Sequence, residues 1–184
     1  PYYYPAKRFN NRQLIDIAEN QNGIQGRHCN DISTDEAIQF IQENKKRPFF
    51  LYLAYDTPHE PYIIKDRGIY EKMNISDTAK TYAALISNMD KNVGRVLQSI
   101  DQSGLRNNTI VCFISDNGGA VMAPRRELKC NSNFRGLKGN LYEGGIRVPI
   151  IARWPNHFSK KVTSDALIYF PDFMPTLAAI AGVK

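Results

Sequence analysis

Two short stretches carry side chains suited to holding a hard cation and moving a proton, and a third isolates a lysine between glycines. The first is Ser115-Asp116-Asn117-Gly118-Gly119, where a carboxylate and a carboxamide carbonyl stand side by side ahead of two glycines. Both oxygens are hard donors, suited to Ca²⁺ or Mg²⁺ and ill suited to a soft metal. The same residues also suit a plain turn closed by Asx hydrogen bonds, so other parts of the chain must decide. The second is Asp56-Thr57-Pro58-His59-Glu60-Pro61. Its two prolines fix φ and keep the residues before them out of helix, which makes His59 a rigidly held imidazole in a loop after a buried strand. Catalytic groups favour loops on rigid scaffolds, although a loop histidine is often merely solvated. The third is Gly136-Leu137-Lys138-Gly139-Asn140, where backbone freedom is plainer than any packing purpose for Lys138.

The elements around these stretches predict how they are held. Residues 109–114 are β-branched or apolar without alternation, the pattern of a strand buried on both faces, and the run stops at Ser115. Ligand sites in open α/β sheets lie at such carboxyl ends. Residues 49–55, Phe-Phe-Leu-Tyr-Leu-Ala-Tyr, form a second run of this kind ahead of Asp56. Between the two runs, Ser76 or Asp77 caps a long helix whose apolar positions (Ala79, Tyr82, Ala83, Ile86, Met89, Val93 and onward) recur at three and four residue steps until Gly104. Strand, helix, strand predicts parallel neighbours joined by a right-handed crossover, with His59 and Asp116-Asn117 at one sheet edge. A capping box, Ser33-Thr34-Asp35-Glu36, opens a helix over about residues 33–45. Residues 1–26 are expected to be irregular with a short strand or hairpin. Residues 146–155 read as a third strand with Pro149 at an edge or bulge, and a last helix starts near Pro171 or Asp172 and stops at Gly182. The aperiodic stretch 120–142 is of a length that is usually functional or mobile. The expected fold is α/β, one domain over residues 1–184, with a mixed, largely parallel sheet flanked by helices.

Composition narrows the classes. The chain has 184 residues, 42% of them hydrophobic and 23% charged, which is ordinary globular usage and argues against disorder. A net charge of +6 would favour an anionic partner, but the basic residues are scattered apart from Lys45-Lys46-Arg47, Arg125-Arg126 and Lys160-Lys161. No zinc-finger spacing occurs and aromatics do not interleave with the basic residues, so nucleic acid is disfavoured. No apolar run approaches the length of a spanning helix, and the amino terminus does not resemble a signal peptide. Cys29, Cys112 and Cys130 contain no Cys-x-x-Cys pair; a Cys29 to Cys130 disulfide is conceivable, and Cys112 reads as a small hydrophobe. The triplets Asn74-Ile75-Ser76 and Asn107-Asn108-Thr109 would matter only in a secreted eukaryotic protein.

Taken together, the motifs resemble those of a type I sulfatase of the alkaline phosphatase superfamily. The resemblance rests on the strand leading into Ser115-Asp116-Asn117-Gly118, on residues 49–55 leading into Pro58-His59-x-Pro61, and on Lys138-Gly139-x-x-Tyr142-Glu143-Gly144-Gly145-x-Arg147-Val148-Pro149, in the family's order and approximate spacing. Linking pieces agree, including Ser33 to Ile41 and Asp172-x-Met174-Pro175-Thr176-Leu177, so most of residues 31–183 are covered. The resemblance implies that Asp116 and Asn117 are calcium ligands, that His59 stands beside the ester leaving oxygen, and that Lys138 holds a sulfate oxygen. Glu143 and Arg147 would hold the loop. It further implies a sulfated small molecule or glycan as substrate and a periplasmic, secreted or lysosomal setting.

The family nucleophile is a formylglycine made from a Cys/Ser-x-Pro-x-Arg motif, and no such motif occurs in this sequence. Met122-Ala123-Pro124-Arg125-Arg126 has the Pro-x-Arg step, but a methionine cannot become formylglycine. The resemblance therefore implies the middle of a sulfatase, with the formylglycine and an Asp pair of the calcium site expected upstream, and no hydrolysis by this chain alone. Two other readings stay open. One is a phosphatase or phosphodiesterase of the same superfamily, against which Asp116-Asn117 speaks, since two-zinc sites usually follow the strand with Asp-His, while phosphonate-ester hydrolases of the superfamily stay open. The other is a silent domain that keeps the scaffold for binding.

Overall fold

Burial, more than periodicity, sets where the first long helix begins. In the computed structural model, which describes residues 3–120 and 122–183, helix α1 runs Cys29–Asn44, a turn earlier than the capping box predicts. Pro1-Tyr2 and the side chains of Met122, Ala123 and Arg125, within the Pro-x-Arg step, lie outside the described residues. The cap is His28, whose Nδ1 accepts from the Asn30 amide at 3.1 Å. The expected box lies inside the helix, where Thr34 is wholly buried and shares a 2.7 Å hydrogen bond with the Tyr55 hydroxyl. The extra turn packs through amides. Asn30 Nδ2 donates to Thr57 Oγ1 at 2.8 Å and to Asn88 Oδ1 at 3.0 Å, and Asn92 Nδ2 donates to Asp31 Oδ1 at 2.8 Å. A turn buried through satisfied polar groups leaves no apolar periodicity to read.

The second helix follows its sequence signals closely. Helix α2 spans Asp77–Gln102, with Ser76 Oγ accepting from the Ala79 amide at 3.3 Å. Glu127, on the short helix α3 (Met122–Leu128), accepts from Ser76 N at 2.6 Å and from Ser76 Oγ at 2.7 Å, which holds its carboxyl below the usual range. At the far end the Leu105 amide donates to the Ile100 carbonyl at 3.1 Å across Gly104. Helices α1 and α2 pack together along a seam that includes Gln42 Nε2 donating to Ser99 Oγ at 3.3 Å and Ser103 Oγ at 2.9 Å. Beside it, buried Tyr3, Tyr4 and Leu85 gather Cys29, Tyr62, Ile63 and Ile64 into a core directly beneath the segment that carries His59.

The chain is α/β, and its ladders differ from the expected pairing. The amino-terminal hairpin forms as β1 (Lys7–Asn10) antiparallel to β2 (Gln13–Asp16). Strand β3 (Val111–Ile114) pairs antiparallel with β4 (Ile150–Arg153), Val111 opposite Arg153 and Ile114 opposite Ile150. Among the described residues, 49–55 join no ladder, so the parallel pairing expected between 49–55 and 109–115 is corrected. Residues 49, 51, 53 and 55 are half-buried, with Phe49 edge-on to Phe40 of α1 at 5.7 Å, while Phe50 and Tyr52 are 69% and 75% exposed. An apolar run records that its faces seek cover; it does not say which edge will find a partner. Glu143–Ile146 forms a single helical turn, α4, so the third strand starts after Pro149 instead of at residue 146.

Two compact units divide after Trp154. The second holds a 3₁₀ turn, Phe170–Asp172, running into α5 (Phe173–Ile180), with Asp172 Oδ2 accepting from the Tyr169 amide at 3.0 Å. Among the described residues no helix is long and apolar enough to cross a membrane, and no disulfide links the cysteines.

Candidate active site

His59 follows the extended run 49–55 in a tight turn whose His59 amide donates to the Asp56 carbonyl at 2.8 Å. Its Nδ1 lies 2.7 Å from the Glu60 carbonyl. A carbonyl only accepts, so Nδ1 carries the proton and donates it there. The imidazole is exposed and lines a cleft of about 570 Å³ with Glu60, Pro61, Tyr62 and Thr78. A second cleft of about 320 Å³ shares Tyr62 and Thr78 and reaches Arg67, Asp77 and Thr81. Thr78 and Asp77 belong to the first turn of α2, so the amino end of that helix forms one wall.

At the end of β3 the chain turns as its residue types require. Ser115 Oγ donates to the Asn117 carbonyl at 3.1 Å and Asn117 Nδ2 to the Gly118 carbonyl at 2.9 Å, leaving Asp116 exposed. Asn117 therefore keeps Oδ1 as its side-chain acceptor, and with the Asp116 carboxylate the turn offers two hard oxygens. These fit a calcium ion by type and make up part of the six to eight it takes. Among the described residues, no three His, Cys, Asp or Glu side chains gather into a metal-binding group.

The Lys138 loop folds back onto this turn. The Lys138 amide donates to the Gly119 carbonyl at 3.1 Å, and the Gly118 amide donates to the Gly145 carbonyl at 3.0 Å. Gly136 and Gly139, on either side of Lys138, have φ of +89° and +87°. The contact between the two segments is backbone on backbone, since a Cβ at Gly118 would stand 1.9 Å from the Gly144 carbonyl oxygen. Asn131, only 7% exposed, ties the assembly together. Its Oδ1 accepts from the Gly119 amide at 2.8 Å, while Nδ2 donates to the Gly144 carbonyl at 2.8 Å and the Gly136 carbonyl at 3.2 Å. Glu143 and Arg147 pair at 3.1 Å, and Arg147 and Arg135 lie over Phe134 and Tyr142 at 5.0 and 3.8 Å.

The His59 segment reaches the Asp116 turn by a route other than a shared parallel edge. Tyr62, three residues on from His59, packs edge-on to Tyr82 of α2 at 5.4 Å, and Tyr82 shares a hydrogen bond with Cys130. Cys130 Sγ in turn stands 2.8 Å from where a Cβ on Gly119 would be. Burial first, then Glu60 and Cys130, pushes the Tyr62 phenol up to about 12, and burial with the same Cys130 raises Tyr82, so both rings stay neutral. The structure thus joins the Asp116-Asn117 turn to the Lys138 loop directly and links the His59 segment to both through Tyr62, Tyr82 and Cys130. Sequence reasoning missed Asn131 and Tyr3, which lie in stretches without periodicity.

Comparison with known proteins points to one family. The sequence model of the family described as Sulfatase matches residues 2–183. The chain is 38% identical over 154 residues to a steryl-sulfatase of Mus musculus, covering 82% of this chain and 24% of that protein. It is 32% identical over 205 residues to a sulfatase of Formosa agariphila, covering all of this chain and 36% of that one. Among solved structures, that of Ps i-CgsB superposes with a TM-score of 0.78 at 34% identity, covering 89% of this chain and 37% of that chain. The same protein has been seen in complex with a neocarrahexaose. The chain spans about a quarter to a third of the length of these relatives.

Proposed function

The chain belongs to the sulfatase family, type I within the alkaline phosphatase superfamily, and from that premise we propose that it supplies the leaving-group and sulfate-binding side of a sulfatase active site. Its substrate is a sulfate ester of a small molecule or glycan, and its setting periplasmic, secreted or lysosomal. The observation that carries the reading is the backbone bond from Lys138 to Gly119, which seats the lysine loop on the Asp116-Asn117 turn. A hard-oxygen pair beside a lysine suits an anionic sulfate, whereas the superfamily's two-zinc members call for an imidazole after the aspartate.

In this reading Asp116 and Asn117 hold part of a calcium site and Lys138 holds a sulfate oxygen. Calcium, if bound, would neutralise sulfate charge at Asp116 and Asn117, and a formylglycine, expected outside this chain, would supply the nucleophile. As the S–O bond to the departing alcohol breaks, its oxygen takes the proton from Nε2 of the His59 imidazolium, the ring being held through Nδ1 by the Glu60 carbonyl. Lys138 stabilises charge that grows on the sulfuryl oxygens.

The test is a leaving-group series with the full-length enzyme. His59→Ala should lower turnover of poor leaving groups, such as sugar sulfates, by about 10²-fold or more, and spare nitrophenyl sulfate by comparison. Lys138→Ala should slow all sulfate esters alike. Equal sensitivity of good and poor leaving groups to His59→Ala would remove the proton-donor role.

A further inference from the structure

The loop that carries His59 is also fastened by residues far away in sequence. Thr57 is held by Asn30 of α1 at 2.8 Å, and the Lys65 amide donates to the Tyr4 hydroxyl at 3.0 Å. At the centre is Tyr3, wholly buried, whose hydroxyl donates to the His59 carbonyl and also lies 3.3 Å from the Asp56 carbonyl. Its ring is stacked on His28 with centroids 5.0 Å apart and planes 14° from parallel, and Tyr4 meets the same imidazole edge-on at 5.4 Å. His28 is itself 4% exposed and fixed by the Asn30 amide as the cap of α1. One line of contacts therefore runs from the start of α1, through His28 and Tyr3, to the backbone of His59.

We propose that Tyr3 is a positioning residue for His59: its hydroxyl, anchored by the stack on His28, fixes the His59 backbone and so sets how well the imidazole delivers its proton. This rests on the reading of His59 as the proton donor. The physical case is that a phenol rooted in a buried ring has almost no freedom, so the carbonyl it binds has little either. Proton transfer in turn is sensitive to displacements well below an ångström. Tyr3 lies outside the cleft of His59, Glu60, Pro61, Tyr62 and Thr78, so its effect is transmitted through the backbone and it need not meet substrate.

Tyr3→Phe keeps the ring and removes only the hydroxyl. In the full-length enzyme it should lower kcat for poor leaving groups about 10-fold, leave KM unchanged, and change nitrophenyl sulfate turnover less than about twofold. In a His59→Ala background the same substitution should do nothing more, because a residue that acts through another loses its effect when that one is gone. A Tyr3→Phe loss that is equal for good and poor leaving groups, or that persists in the His59→Ala background, would show a general structural role and overturn the proposal. No loss at all, with His59→Ala still selective, would overturn it too and leave the His59 reading intact. If His59→Ala is itself unselective, the His59 reading fails and this proposal with it. Should Tyr3→Phe not fold, His28→Asn keeps a cap acceptor, removes the ring beneath Tyr3, and must give the same selective loss; its absence refutes the proposal.

Discussion

Asn131 shows how much can hang on one amide. Its side chain meets three glycine residues from two segments, accepting from one and donating to carbonyls of the others, and it sits where water cannot replace it. Asn131→Ala should cost ~2–3 kcal/mol, read as a lowered denaturant midpoint, since it strands buried backbone groups. Asn131→Asp should do no better, because a carboxylate keeps the acceptor for Gly119 but faces the Gly136 and Gly144 carbonyls; a fully stable Asp variant would show that Nδ2 carries no weight. His28 adds a pH term. Burial pushes its pKa below the usual value near 6.5, against the pull of Asp31 and Asp56, and its Nδ1 must stay unprotonated to cap α1. Between the lowered folded value and 6.5 the unfolded chain binds more protons, so stability rises with pH there. The contribution is complete above about pH 6.5 and is lost as pH falls through the folded value. His28→Asn should flatten that part of the melting profile, and melting temperatures at pH 7.5 and pH 5 compared with the unsubstituted chain would show it; an unchanged slope would exclude His28 as its source.

At the level of elements, the contact between the β3 turn and the lysine loop is limited by glycine. A Cβ at Gly118 meets the Gly144 carbonyl oxygen at 1.9 Å, backbone against backbone, so neither side can swing away as a flexible side chain would. Gly118→Ala should therefore cost ~3 kcal/mol or more and speed amide exchange at Lys138, whereas Gly94→Ala, with open space around it on α2, should not destabilise. Unaltered exchange at Lys138 in the Gly118 variant would mean the loop does not depend on the turn. What the sequence showed at this scale follows from the same physics. Helix α2 was legible to within a residue or two, because cap, apolar stripe and terminating glycine all act locally. The first turn of α1 was not, since Asn30 is buried through hydrogen bonds with Thr57 and Asn88 that no local pattern announces. The partner of β3 was missed for a similar reason: apolar runs reveal burial, while pairing depends on how the 35 or so residues from 115 to 149 double back.

For the whole molecule, the motifs were enough to point to the family, and the family match over residues 2–183 shows it. The site residues were legible as types, yet their links run through Asn131 and Tyr3, which nothing in the sequence marked, and through Cys130, which the sequence offered only as a conceivable disulfide partner. The chain spans about a quarter to a third of its relatives' length. On the proposed reading, Asp116 and Asn117 would bring two oxygens to an ion that takes six to eight, and a calcium ion would gain little from two ligands while giving up its own water for them. The Asn117 amide is already committed through Nδ2 to the Gly118 carbonyl, which orients its oxygen but adds no further donor. For the isolated chain, calorimetry with Ca²⁺ should therefore show no saturation below the millimolar range, and no turnover of nitrophenyl sulfate should accompany it. Submicromolar binding abolished by Asp116→Ala would mean that further oxygens of this chain complete the site. Turnover lost on His59→Ala would mean that the chemistry does not need a formylglycine from elsewhere.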